Sequence, residues 1–267
     1  LDLSAVPPLA AASVGNQLFP VTPVLGVAMV LFLVIAVAVA GWGMLGQGHA
    51  VARAGLRAVV QLAAVAFVIT WVVHALWSTS LFVLVMFTVA VRTAGRRMTD
   101  APGWSWAWAA APIGAGVLPV LALLIGAGLL PLKGLSIVPV AGILIGGGLT
   151  ATSLAGRRAL DELTQRHGEV EAALALGLED RDARLEICRP AAATSLVPAL
   201  DQTRTVGLVT LPGAFVGMLL GGSSPVAAGA VQLFVLVALL AVEAVAIVVV
   251  LELVGRGLVR RPVEWGR

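Results

Sequence analysis

The chain has 267 residues, of which 60% are hydrophobic and only 12% are Asp, Glu, Lys or Arg, with a formal net charge of +3. Soluble domains carry roughly 25% charged residues, so a water-soluble fold of this size could not cover its exterior, and the bilayer is the expected solvent. The excess of Lys and Arg in so apolar a chain points to cytoplasmic loops rather than to nucleic acid. The single cysteine, Cys188, excludes an internal disulfide, and three histidines with no tyrosine leave little for metal ligation or acid–base chemistry.

Residues Leu1–Phe19 are mildly apolar, carry Pro7 and Pro8 and lack the basic start of a signal peptide, so they read as an external tail or interfacial segment. A membrane helix needs about 20 apolar residues to cross roughly 30 Å. On that measure the expected spans are Val21–Gly41, Leu56–Trp77, a short Ser80–Val91, Trp104–Leu130, Leu135–Ala155, Ala191–Gly222 and Val226–Val254. Pro112 and Pro119 fall inside the fourth and Pro212 inside the sixth, which membrane helices tolerate better than soluble ones. The expected fold is therefore an all-α integral membrane protein of about seven transmembrane helices, a single permease domain over residues 1–267. It would be a multi-pass protein of the cell (plasma or inner) membrane, in contact with lipid.

Orientation follows from the basic residues. The loops after spans one, three and five, with the C-terminal tail and the adjoining helix ends, hold 15 of the 17 Lys and Arg. Lys133 alone lies opposite, and Arg204 lies within a span. That asymmetry places the N-terminus outside and the C-terminus in the cytoplasm. Trp42, Trp71, Trp77 and the Trp104, Trp106, Trp108 group fall near span boundaries, where indole rings prefer to sit.

Residues 156–190 are the longest polar stretch and the one substantial cytoplasmic loop. Gly168 and Gly177 divide it into a continuation of span five over Arg157–His167, a short helix over Glu169–Leu176 and a third helix over Arg181–Cys188. Glu179, Asp180 and Asp182 suit the N-terminal end of that third helix. Small residues Ala172 and Ala173 permit close approach of a partner, Val170 and Leu174 offer apolar anchors on one face, and Gly177 allows a sharp turn. Glu171-Ala172-Ala173, three residues, Gly177, nine residues, Ile187 and finally Pro190 resemble the coupling-loop pattern of ABC permeases, with Arg189 where the pattern has Leu. The resemblance implies that Glu171, Ala172, Ala173, Leu174, Gly177, Ile187 and Pro190 contact an ATP-binding subunit and transmit its movement.

Three further stretches extend it. Leu56-Arg57-Ala58-Val59-Val60-Gln61-Leu62, Val138-Pro139-Val140-Ala141-Gly142 with Gly146, and Gly207-Leu208-Val209-Thr210-Leu211-Pro212-Gly213 with Gly217 are similar to signatures of the FetB-type permeases. Those are bacterial iron-export ABC transporter subunits, with plant relatives in aluminium tolerance. The resemblance covers roughly residues 50–255. It implies a permease homodimer with two ATPase subunits and export of a metal ion such as iron. The chain departs from the family pattern at Gly147, often Asn, and at Ala214-Phe215-Val216-Gly217-Met218, often Met-Met-Thr-Gly-Gln.

The chain itself has no P-loop, since its only lysine, Lys133, precedes Gly134 rather than Ser or Thr. It also lacks His-Glu-x-x-His and Gly-x-Ser-x-Gly. It is therefore read as a non-enzymatic transport subunit with no cofactor of its own, ATP and Mg being bound by the partner. Ionisable groups inside a membrane are costly and mark candidate functional positions. Asp201 and Arg204, three apart on span six, suit either a neutralising pair or the lining of a path. Glu243, midway along span seven, is open to pairing with Arg204, to binding a cation or to protonation. Pro212 and Gly213 suit a hinge about which span six rocks. Gln61 and Gln232 suit interhelical hydrogen bonds, His74 interfacial packing, and Met218 either gap-filling or contact with a soft metal or apolar substrate. Two other readings stay open: an ABC permease for another small solute, and a secondary transporter or channel using Asp201, Arg204 and Glu243, which would need no ATPase.

Overall fold

A computed structural model describes residues 22–99 and 103–261. The expected external tail, the first residue of the first span and Arg267 lie outside the described residues. Among the described residues the regular structure is helical, apart from one isolated bridge between Val206 and Thr210. The helices are α1 (Pro23–Trp42), α2 (Gly48–Val72), α3 (Leu76–Met98), α4 (Ala110–Gly126), α5 (Gly134–Gln165), α6 (His167–Ala175), α7 (Asp180–Ala193), α8 (Val197–Thr205), α9 (Gly213–Leu220) and α10 (Pro225–Gly255). Short 3-10 turns, Gly103–Ala109 and Thr194–Leu196, lead into α4 and α8.

Six of the described helical stretches are long and apolar enough to cross a membrane. All six match expected spans with shifted ends. The second begins at Gly48 and stops at Val72, so Trp77 belongs to α3. The third is no short helix but 23 residues, because Arg92, Arg96 and Arg97 continue it beyond its apolar part. The expected sixth span, Ala191–Gly222, is not one helix. It is the end of α7, a 3-10 turn, α8, an unwound stretch and α9.

The chain clusters into two compact units. The first comprises α1, α2 and residues 216–228; the second comprises residues 73–215 and 229 onward. In the first unit α1 and α2 pack side by side at Gly55, where an added Cβ would stand 2.6 Å from Leu33 Cδ1. Apart from His49, Arg53, Arg57 and Gln61 of α2, most of their remaining surface is apolar and exposed, as suits helices that face lipid.

The second unit has the core. Met98, Ile113, Val117, Leu144, Val242, Val250 and Val254 are almost completely buried, and they bring α3, α4, α5 and α10 together with Cys188 of α7. Lipid tails are as apolar as Leu, so helices associate here through close packing at small residues rather than by hydrophobic exclusion. At Gly116 of α4 an added Cβ would stand 2.7 Å from the carbonyl oxygen of Val242. Thr79 lies at Gly134 and Met98 at Gly156, so α3 and α5 run in the same direction. Arg261 reaches Asp161, and Arg181 reaches Glu252. The C-terminal ends of α3, α5 and α10 therefore share one end of this unit, the basic end.

The interrupted segment still crosses the membrane. Both α7 and the last turns of α10 lie at the basic end, and α10 is 31 residues long, roughly 46 Å at 1.5 Å per residue. The chain leaving α7 must reach the far end of α10 before turning back. It does so in pieces, and this seventh passage is a discontinuous one.

Candidate functional site

The loop at the basic end is built as the sequence leads one to expect. Arg166 closes α5 and opens α6; its Nε donates to Glu169 Oε1 at 2.7 Å, its Nη2 donates to Glu169 Oε2, and it lies 3.5 Å from Glu162. That guanidinium holds the Glu169 carboxyl below its ordinary range. The C-terminus of α6 is a Schellman motif. Gly177 sits at φ +92°, its amide donates to Leu174 O at 2.9 Å, and the Leu178 amide donates to Ala173 O at 3.1 Å. Only glycine adopts that backbone without strain.

The two faces of α6 differ. The inner face packs Val170 against Ala183 and Ile187 of α7, with Leu163 and Ala173 half-buried beside them. Away from that contact, Ala172 and Leu174 on the helix and Leu176 and Leu178 just past its end are exposed, Leu176 at 83%, near exposed Glu171, Glu179 and Asp180 in the sequence. This corrects one expectation. Val170 is not an outward anchor paired with Leu174, since it turns into the loop's own small core. Ile187 is buried there as well and supports α6 from beneath. Glu171, 3.4 Å from His167, and Pro190 are exposed.

The loop is fastened to the membrane helices by bonds that sequence reasoning missed. Arg181 Nε donates to Glu252 Oε1 at 2.8 Å and its Nη2 donates to Oε2 at 2.7 Å, a two-pronged bond between α7 and α10. Glu252 also accepts from Arg256 Nε at 2.6 Å. Arg158 of α5 donates to Thr194 Oγ1 and Ser195 Oγ, where α7 gives way to α8. These partners lie 36 to 71 positions apart, so no local pattern announces them. Cys188, with no exposed surface, lies in this packing, and burial pushes its thiol up to about 11.

The discontinuous passage holds the rest. The Thr205 carbonyl accepts the amides of Leu208, Val209 and Thr210, Gly207 sits at φ +83°, and its amide donates to Thr210 O at 2.9 Å. Pro212 has no amide to donate and disfavours helix at Leu211. The helix is thus interrupted from Val206 onward rather than kinked at Pro212, and it resumes at Gly213. Irregular backbone at membrane depth is tolerated where it is buried in protein or lines a cavity. Here a cavity of about 180 Å³ opens between this stretch and α10, lined by Val206, Gly207, Pro212, Phe215, Gln232 and Leu236 among others. Gln232 Oε1 is buried there without a hydrogen-bond partner, so its expected interhelical bond is not made. Thr152 Oγ1 on α5, a position the sequence reading passed over, is likewise buried and unpartnered.

The charged candidates do not converge. Asp201 and Arg204 pair at 3.5 Å, and both side chains are more than half exposed. Arg204 is therefore taken, and no pairing of Glu243 with it forms. Glu243 is buried at 8% exposure on α10, facing α5 at Gly147, where an added Cβ would stand 2.9 Å from its Oε1. Gly147 thus leaves room for the acid. Gln61 is exposed on α2 and Met218 half-buried on α9, both in the first unit. Among the described residues no three His, Cys, Asp or Glu side chains are grouped to hold a metal ion.

Residues 24–259 match the family described as "Uncharacterised protein family (UPF0014)". The chain belongs to UPF0014. Among its relatives in UPF0014 terms, it is 34% identical over 213 residues to "UPF0014 membrane protein STAR2" of Oryza sativa subsp. japonica, covering 79% of this chain and 74% of that protein. It is 34% identical over 182 residues to "Protein ALUMINUM SENSITIVE 3" of Arabidopsis thaliana, covering 67% and 66%. It is 28% identical over 196 residues to "Probable iron export permease protein FetB" of Escherichia coli (strain K12), covering 72% and 75%. No solved structure matches. The expected kinship with the FetB-type permeases is thereby met, and this UPF0014 member is a multi-pass, all-α membrane protein.

Proposed function

We propose that this chain is the permease subunit of an ATP-driven transporter in the plasma or inner membrane, paired with a second copy and driven by separate ATP-hydrolysing subunits. The observation that carries the reading is the outer face of α6. Two side chains of this nine-residue helix, Ala172 and Leu174, and two just past its end, Leu176 and Leu178, are apolar and exposed at the basic end, which this reading turns to the cytoplasm. A patch of that kind, rimmed by charge, suits the groove of a partner protein. The fork from Arg181 to Glu252 gives a push on this loop a rigid route into α10, and the bonds from Arg158 to Thr194 and Ser195 give one into the discontinuous passage.

The second copy is supported by Asp201 and Arg204. An exposed ion pair on a membrane-crossing segment is expensive against lipid, and a second chain facing it would remove that cost. Metal-ion export, iron first, is supported by the similarity to the probable iron export permease of Escherichia coli. Ligands for such a cargo would come from both copies and from the unwound backbone near Gly207, in the manner of discontinuous helices in other transporters. The chain is not itself an enzyme in this reading.

The test is association. Leu176→Glu and Ala172→Glu alter exposed side chains, so the fold is kept. Co-purification with the ATPase subunit is expected to fall about tenfold or more, the loss of one buried apolar anchor with an unpaired charge in its place. Unchanged association in both variants overturns the proposal.

A further inference from the structure

A second feature of the basic end is not used by the coupling loop. Arg96 and Arg97 at the end of α3, Arg157 of α5, and Arg261 beyond α10 line a cleft of about 470 Å³, together with Met98 and Asp161. Among the described residues Asp161 is the one acid in the lining, and it is committed: it accepts from Arg261 Nη1 at 2.6 Å. Arg96, Arg97 and Arg157 have no hydrogen-bond or ion-pair partner among the described residues. Three guanidinium groups therefore converge on one opening, with their mutual repulsion unrelieved by any bond among the described residues.

The depth of the cleft tells what relieves it. Arg157 comes directly after the apolar stretch of α5 and Arg96 and Arg97 end α3, so all lie toward the basic end, which the proposed orientation turns to the cytoplasm. This is the level of the lipid headgroups of the inner leaflet, where anionic lipids are drawn to basic residues. Guanidinium groups match phosphate oxygens with paired N–H donors, which a lysine could not do. Met98, almost fully buried, packs at Gly156 and closes the gap between α3 and α5 behind the arginines. A cationic rim at this level suits a headgroup phosphate whose acyl chains descend along the helices. We infer that Arg96, Arg97 and Arg157 form a binding site for the phosphate group of an anionic phospholipid, with the Asp161–Arg261 pair fixing one wall. The site ties α3 and α5 to the inner leaflet beside the coupling loop, without touching the loop's docking face.

The test uses the full chain, purified in mild detergent and exchanged into phosphatidylcholine, then titrated with phosphatidylglycerol while bound lipid is counted by native mass spectrometry. One phosphatidylglycerol per chain is expected to survive conditions that strip phosphatidylcholine. R96Q/R97Q/R157Q is expected to lower that retention about tenfold or more, Arg157→Gln alone several-fold, and R96K/R97K/R157K to an intermediate level, because charge remains while the paired donors are lost. R53Q/R57Q/R189Q, which removes the same charge elsewhere, is expected to leave retention within about twofold. Equal loss in that control, or no loss in the triple variant, overturns the site. Millimolar inorganic phosphate that occupies the cleft and displaces the lipid assigns it to a soluble anion instead. Loss of ATPase association by the triple variant with lipid retention intact assigns it to protein docking.

Discussion

Gly168 lies in the first turn of α6 and Gly177 just past its end, and the two are held to opposite requirements. Gly177 lies at φ +92° with open space around its Cα, so a side chain there meets no atom and the penalty is backbone strain alone. Gly177→Ala is expected to cost about 1 kcal/mol and Gly177→Val more, because the left-handed conformation disfavours a Cβ and disfavours a branched one further. Gly168, in the first turn of α6, has ordinary backbone and equally open space. Gly168→Ala is expected to stabilise the helix by about 0.5–1 kcal/mol through helix propensity. Amide hydrogen exchange over residues 167–176 checks both signs: faster in the first variant, slower in the second. Equal effects would remove the Schellman assignment. This glycine was legible in the sequence because a polar loop helix must end before the next begins. The inward turn of Val170 was not, since Val170 and Leu174 sit one turn apart near the border of two faces, and only the position of α7 decides which one is covered.

At the scale of elements, the sequence carried the helices and misjudged their continuity. Hydropathy over Ala191–Gly222 registers apolar residues but is blind to the Thr205 carbonyl, which gathers three amides and ends α8. Val206, Val209 and Thr210 are β-branched, weak helix formers whose choice of extended backbone shows only when the chain has neighbours. The fastening of α7 to α10 was hidden for a different reason, since Arg181 and Glu252 are 71 positions apart. Glu252 holds the Arg181 guanidinium above its ordinary pKa, so the bond is charge-assisted throughout the physiological range. If this fork carries motion from the loop to α10, Arg181→Gln and Glu252→Gln should each lower ATP-coupled transport several-fold while leaving ATPase association intact. The double variant should fall no further than the worse single one, because both remove one interaction. Additive losses in transport would show that the two residues act separately.

For the whole molecule, the strongest expectation from charge was direction: basic loops inside. In the second unit the ends of α3, α5 and α10 do share one end, with Arg96, Arg97, Arg157, Arg181 and Arg261 gathered there, so the asymmetry counted along the sequence is also an asymmetry in space. Which compartment that end faces is open to direct measurement, because the protein supplies its own clean background. Cys188 is fully buried and its thiol is pushed from 9.0 to about 11, which cuts its thiolate fraction at neutral pH roughly a hundredfold on top of steric exclusion. The native chain should therefore resist a membrane-impermeant maleimide on either side of the membrane. Gln165→Cys places a thiol at the exposed end of α5, and Leu132→Cys places one in the exposed turn before α5 begins. In intact cells Leu132→Cys should label and Gln165→Cys should not; after permeabilisation both should label, with Cys188 silent throughout. The reverse pattern would turn the molecule over, put the α6 face out of reach of any cytoplasmic ATPase, and remove the coupling proposal together with the inner-leaflet lipid site.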